Sequence, residues 1–274
     1  YLRKNKKEKR LPGLKEYIKK NKSVFAVYVI LRMFVIAAIV MAFVEHRYEH
    51  VFVCVLSLVL FLIPAFVEKN FGIKLPSTLE IIILLFIFAA EILGEMQSYY
   101  IRFAYWDTML HTVNGFLCAA VGFALVDILN RNKKTKFTLS PIYLAVVAFC
   151  FSMTIGVLWE FFEFSCDMIL KTDMQKDTVV NFISSTMLDS TKTNHAVLID
   201  NISKVSVNGN ELNINGYLDI GLIDTMKDLF VNFIGAVVFS VIGYFYVKHR
   251  GKGKFAEQFI PAVADDENNE KEKN

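Results

Sequence analysis

Four cysteines occur in 274 residues, and no two of them are spaced as CxxC. Cys54, Cys118 and Cys150 fall inside long apolar runs, and only Cys166 is placed near the end of one. That pattern excludes a disulfide framework and a thiolate zinc site. No P-loop, no HExxH and no Ser or Cys nucleophile motif is present, so hydrolysis by those routes is not suggested. Proline is also rare, with five in the chain, and no Pro/Gly-rich linker or internal repeat divides it. One domain is expected.

Charge is nearly missing from six stretches, roughly 24–44, 51–67, 78–96, 107–129, 141–164 and 223–247. Each approaches the ~20 residues that a helix needs to cross ~30 Å of hydrocarbon. The chain is 54% hydrophobic, with 25 Phe, and its mean hydropathy is +0.41. Ordinary soluble domains hold about 45–50% apolar residues even with Gly counted. The expected fold is therefore all-α and polytopic, with about six transmembrane helices.

Basic residues lie in alternate loops. Ten Lys/Arg occur in residues 1–22, and further groups occupy 68–77, 130–140 and 248–254, whereas 45–50 and 97–106 hold one Arg each. The positive-inside rule puts both termini in the cytoplasm. Residues 1–22 are too long and too basic for a signal-peptide n-region, and 24–44 has no small-residue cleavage site, so no cleavable signal is expected. The stretch "LPGLKEYIKK" reads either as a short interfacial helix or as a disordered basic tail. The expected organisation is a basic cytoplasmic segment over 1–22, a six-helix domain over 23–247, and a polar, disordered cytoplasmic tail over 248–274. The one long loop, about 165–222, is external. Around Asn208-Gly209 it alternates apolar and polar residues, which predicts a β-hairpin near 203–215 packed over the outer mouth of the bundle.

Against this apolar background the acids are conspicuous. The third run ends with Glu91 and Glu95, and the fourth begins with Asp107, His111 and Asn114. The fifth ends with Glu160, Glu163 and Asp167, and the sixth begins with Asp224, Asp228 and Asn232. Spacings of three and four put each set on one helix face. With alternating topology all four sets reach the same, outer leaflet. A charge at a membrane helix centre costs about 2.5–3.5 kcal/mol, and repulsion among neighbouring carboxylates adds to it. Protonation, a bound cation or basic partners must relieve that repulsion, and nearby bases are few, chiefly Arg102 and Lys227. Carboxylates with one imidazole and an amide suit Mg²⁺, Mn²⁺, Ca²⁺ or Zn²⁺.

Bland readings stand beside this one. Asp107 and Asp224 each precede an apolar run, as helix N-caps do. His111 alone would read as a packing histidine, although Asp107 at i−4 could orient its ring. Glu160 and Glu163 cap nothing favourably, because their charge opposes the dipole at a helix C-terminus. Arg32 is expected to snorkel and Glu80 to be a solvated helix end. Gly115, Ala119 and Gly122, like Ala236, Ser240 and Gly243, form small-residue stripes for close helix packing.

The blocks "YWDTMLHTVNGF", "GVLWEFFEFSCD" and "GLIDTMKDLFVNFIGA" resemble the YjdF-type bacterial inner-membrane proteins. The order D…H, E, D…N-x-x-G is similar, more distantly, to VanZ-like membrane proteins. The resemblance covers about 90–247 and implies a multi-pass protein of the plasma membrane; the VanZ-like part implies an effect on the cell envelope. Its shared positions are Asp107, His111, Glu160, Glu163, Asp224, Asp228, Asn232 and Gly235.

The expected function is a metal-dependent enzyme acting on a lipid or envelope amphiphile. His111, Glu160 and Asp228 are the expected ligands of a divalent cation, with Glu163 or Asp107 as catalytic base or orienting group. Glu91, Asn114, Asp167, Asp224 and Asn232 complete the polar site. The bilayer and an amphiphile are the expected partners, and nucleic acid is not. Ion- or proton-coupled transport, or a structural or regulatory role, are the alternatives.

Overall fold

The computed structural model describes residues 22–71, 73–131, 139–249 and 256–263. The candidate interfacial helix within 1–22, most of the basic 130–140 loop and the last acidic-basic residues lie outside them. Six helical spans among the described residues are long and apolar enough to cross a membrane.

Helix α1 (Lys22–Val44) buries only Val24, Leu31, Val35 and Ala42. Met33, Phe34, Val40 and Met41 point outward, where only hydrocarbon can cover them favourably. The second span is broken into α2 (Tyr48–Leu60) and α3 (Ile63–Phe71). Pro64 supplies the reason. It has no N–H to give to the Leu60 carbonyl, and the chain tightens there, with Leu62 N bonding Val59 O at 3.0 Å. Helix α4 (Ser77–Phe88) runs on into a π-helical stretch, Ala89–Met96. Wide π turns are uncommon and often mark functional positions; this one carries Glu91 and Glu95. A left-handed Ser98 (φ 57°) then starts the one-turn α5 (Tyr99–Arg102).

The last three spans pack most closely. They are α6 (Trp106–Arg131), α7 (Pro141–Leu170) and α8 (Leu222–Lys248). Pro141 occupies the first turn of α7, and the Ser140 hydroxyl accepts from Tyr143 N at 3.3 Å, an arrangement that satisfies groups left open at a helix start. Glycine lets α6 and α8 meet backbone to backbone. A Cβ on Gly235 would collide with the Thr112 carbonyl, and one on Gly115 with the Asn232 carbonyl. The small-residue stripes therefore do pack helices. Below this crossing lies an apolar core of Ala119, Ala120, Phe123, Leu144, Ala148, Ala236 and Phe239. The first three spans have their own core around Val35, Cys54, Phe61 and Leu84. Leu75, Leu79 and Leu117 bridge the two.

The loop after α7 holds short antiparallel pairs. β2 (Val179–Val180) pairs with β7 (Tyr217–Leu218), and β3 (Ile183–Ser185) with β4 (Val197–Ile199). The expected hairpin is β5 (Ser206–Val207) with β6 (Asn210–Glu211). Its turn residues Asn208 and Gly209 have φ of 52° and 83°, the paired positive angles of a type I′ turn. Its position corrects the expectation, however. All four strand residues are exposed, and segment 173–178 lies against the bundle end instead.

Two further expectations are corrected. The tail was expected to be disordered from 248, yet β8 (Ala262–Val263) pairs with β1 (Ile73–Lys74), and Ile260 is only 5% exposed. Apolar side chains such as Phe259, set edge-on to Phe116 at 5.3 Å, give that return its reason. Glu80 is buried rather than solvated, and Asp127 is buried as well.

Candidate functional site: a polar cup at one end of the bundle

Each of α6, α7 and α8 brings a polar stripe to the same end. On α7 the inward residues are Ser152, Gly156, Glu160 and Glu163; on α8 they are Asp228, Asn232 and Gly235. Because the glycine crossing holds α6 against α8, the start of α6 faces the start of α8. His111 Nε2 thus stands 3.5 Å from Asp107 Oδ1 and 3.7 Å from Asp228 Oδ2. One donor atom from each of the three lies within 4.8 Å of the others. These separations are long for hydrogen bonds, and they suit groups facing a common small ion. The His111 side chain is 12% exposed and that of Asp228 4%.

Asn232, fully buried, ties the floor of the cup together. Its amide lies 3.4 Å from Asn114 Nδ2 and 3.5 Å from the Ser152 carbonyl. Ser152 Oγ donates to the Gly115 carbonyl at 2.7 Å, and Cys118 Sγ lies 3.5 Å from Asn114 Oδ1. Gly156 leaves room for the Asn232 amide, since a Cβ there would come within 2.7 Å of Nδ2.

The wall from α7 is acidic. Glu163 accepts from Trp159 Nε1 at 2.8 Å. Glu160 is 4% exposed, and its Oε2 has no hydrogen-bond partner. Thr225 and Gln175 hydrogen-bond the Glu160 carboxylate, and Asp224 and Asp107 are within electrostatic reach of it. Asp228 in turn feels Asp107, Asp224, Glu160 and Glu163. Opposing them, the charge of Lys176 is felt by Asp107 and that of Lys227 by Asp224, although the Lys176 ammonium itself lies 3.7 Å from Asp173 Oδ2.

Segment 173–178 closes over this end. Gln175 Nε2 donates to Thr225 Oγ1 at 2.5 Å, and Lys176 N donates to Asp224 Oδ2 at 2.8 Å. Asp167 accepts from Met174 N at 2.7 Å, Gln175 N at 2.8 Å and Thr172 Oγ1 at 2.8 Å. It therefore anchors the strap from the end of α7, with its acceptors engaged away from the cup.

Neither Asp107 nor Asp224 caps its helix as the bland reading would have it. The N-cap of α8 is Gly221, and Asp219 accepts from Ile223 N and from Thr178 N, both at 2.7 Å. Asp107 and Asp224 lie in the first turns of α6 and α8, where the helix dipole favours negative charge. Glu91 is half-buried beside Glu95 on the π stretch, and no hydrogen bond or ion pair joins it to Arg102. Arg32 stacks over the Tyr28 ring at 4.1 Å.

Four contributors carried no signal as single residues. Tyr100 lies against Gly94, whose missing side chain makes the space. Burial pushes its phenol up from the ordinary value, and Asp107, Glu95, Glu91 and Glu163 push it further. Gln175 comes from the loop. Ser152 and Gly156 were legible only by extending the Glu160 stripe inward at i−4 and i−8.

With this geometry in view, the comparisons take on meaning. The family described as "Predicted membrane protein (DUF2238)" matches residues 26–249, which hold every residue of the cup and all six spans but for the first four residues of the first one. The chain belongs to this family. It is also similar to a Thermotoga maritima protein named "Uncharacterized protein", at 28% identity over 107 residues, 39% of this chain and 53% of the other. The chain thus spans about half the length of the curated relative it matches. No solved structure matches it.

Proposed function

We propose that this chain is a metal-dependent membrane enzyme acting on the head group of a lipid or another envelope amphiphile. In this reading the cup lies in the outer leaflet of the plasma membrane, with both termini cytoplasmic. Asp107, His111 and Asp228 hold a divalent cation, so Asp107 moves from the expected base to a ligand. The cation would polarise a phosphoryl or carbonyl oxygen or activate water. Glu163, oriented by Trp159, takes the proton, as a buried carboxylate near a reacting group can. Asn114 and Asn232 set the floor; Asp167 and Asp224 hold the strap.

The observation that carries this reading is the three-residue donor group within 4.8 Å, assembled from two helices. Transport is disfavoured by what lies beneath it. Phe116, Phe123 and Phe239, stacked edge-on at 5.1 and 5.9 Å, fill the bundle between the cup and buried Asp127. These rings separate the cup from Asp127, and an ion route would need polar groups between the two.

Elemental analysis of purified chain, beside Asp228→Asn, tests the metal. Bound metal in the wild type and loss of it in the variant are expected. Lipid profiles of cells with and without the protein, and with Glu163→Gln, test the chemistry. A metal-free wild type with unchanged lipids would sink the proposal.

A further inference from the structure

We infer that the cup is built for a second cation, held by oxygen atoms alone, beside the Asp107–His111–Asp228 group. The inference rests on the reading above and adds a site to it. Its centre is Glu160, whose Oε2 is buried and without a partner although Thr225 and Gln175 hydrogen-bond the same carboxylate. An isolated carboxylate oxygen out of water is strongly unfavourable unless something positive meets it. Glu160 is not one of the residues whose donor atoms gather within 4.8 Å around His111, so that first cation does not meet the need.

Further oxygens belong to its neighbours. Asp224 is within electrostatic reach and uses one oxygen, Oδ2, for Lys176 N. Its second oxygen remains. Gln175 gives its amide N–H to Thr225 Oγ1, which leaves the Gln175 carbonyl oxygen as an acceptor. Two carboxylates and an amide carbonyl form a hard donor set without nitrogen or sulfur. That set suits Mg²⁺, Mn²⁺ or Ca²⁺, with water completing the shell. Charge points the same way. Asp107, Glu160, Glu163, Asp224 and Asp228 crowd one cup, and a single dication offsets two of five carboxylates. A second brings the offset to four of the five. Because Gln175 belongs to the strap, the second cation also ties the loop to the helices.

Mn²⁺ titration of the metal-stripped full chain in detergent decides the matter, with bound metal counted per chain. Two equivalents are expected for the wild type, one for Glu160→Gln, and one for Asp228→Asn. Gln175→Ala, a change in the half-buried strap, should weaken the second equivalent roughly tenfold, the lower end of losses when metal-site partners are removed. One equivalent in the wild type, kept by Glu160→Gln, would overturn the second site and leave the first. Two equivalents in both proteins would overturn the assignment to Glu160. If Glu160→Gln does not fold, unchanged affinity in Gln175→Ala overturns the inference. A wild type that binds no Mn²⁺ would overturn the reading beneath it.

Discussion

Gly235→Ala is a one-methyl change about two turns from Asp228 on the same helix, and it should dismantle the cup. A Cβ at 235 would lie 2.9 Å from Phe116 N, 3.1 Å from the Thr112 carbonyl carbon and closer still to its oxygen, where ordinary contact begins at 3.4 Å. All three atoms are backbone, so no side chain can swing aside. The two helices must separate by at least half an ångström to restore contact with Phe116 N alone. Metal–ligand distances hold within about 0.2 Å, and His111 on α6 and Asp228 on α8 ride on the two helices being pushed apart. Overpacking of this kind costs about 1–3 kcal/mol. The variant should therefore unfold earlier in detergent, and its Mn²⁺ affinity should fall by more than tenfold. Gly243→Ala, on the same helix, is the control. Its nearest neighbours are edge atoms of the Phe123 ring at 2.9 Å, far from the cup, so Mn²⁺ binding should survive. Wild-type stability and affinity in Gly235→Ala would refute the claim that the backbone crossing sets the site.

Two further outcomes follow from the hydrogen bonding. Ser152→Ala removes the 2.7 Å bond to the Gly115 carbonyl and should lower stability by about 1 kcal/mol; Thr154→Ala, whose exposed hydroxyl bonds Cys150 O within its own helix, should change it little. Asp219, outside the spans, is raised by burial, but N–H donors from Thr178, Ile223 and Gly221 hold its carboxyl below the ordinary value overall. A depressed folded value stabilises above the ordinary carboxylate pKa of about 3.9 and is lost as pH falls through the folded one. Amide exchange at 178 and 223, corrected for its intrinsic rate, should accelerate as pH drops below about 4. Flat protection across that range would contradict the clasp.

Much of this was readable in the chain. Run length and the absence of charge defined six crossings, and Asn208-Gly209 defined a turn, because hydrocarbon thickness and positive φ act on local residues. Spacings of three and four also placed acids on single helix faces. What such spacings cannot do is rank the acids, since a face has no partner until helices pack. Asp167 and Glu160 are seven residues apart on one helix, yet one clasps a loop and the other points into the cup. Similarly, the role of Asp219 depended on a strand pair forty residues distant.

Membership of the membrane class and the identity of the polar residues were thus determined by sequence alone, through transfer free energies that each segment feels independently. Which donors meet was decided by tertiary structure. Two glycines bring α6 and α8 into backbone contact, and only that contact turns Asp107, His111 and Asp228 into one group.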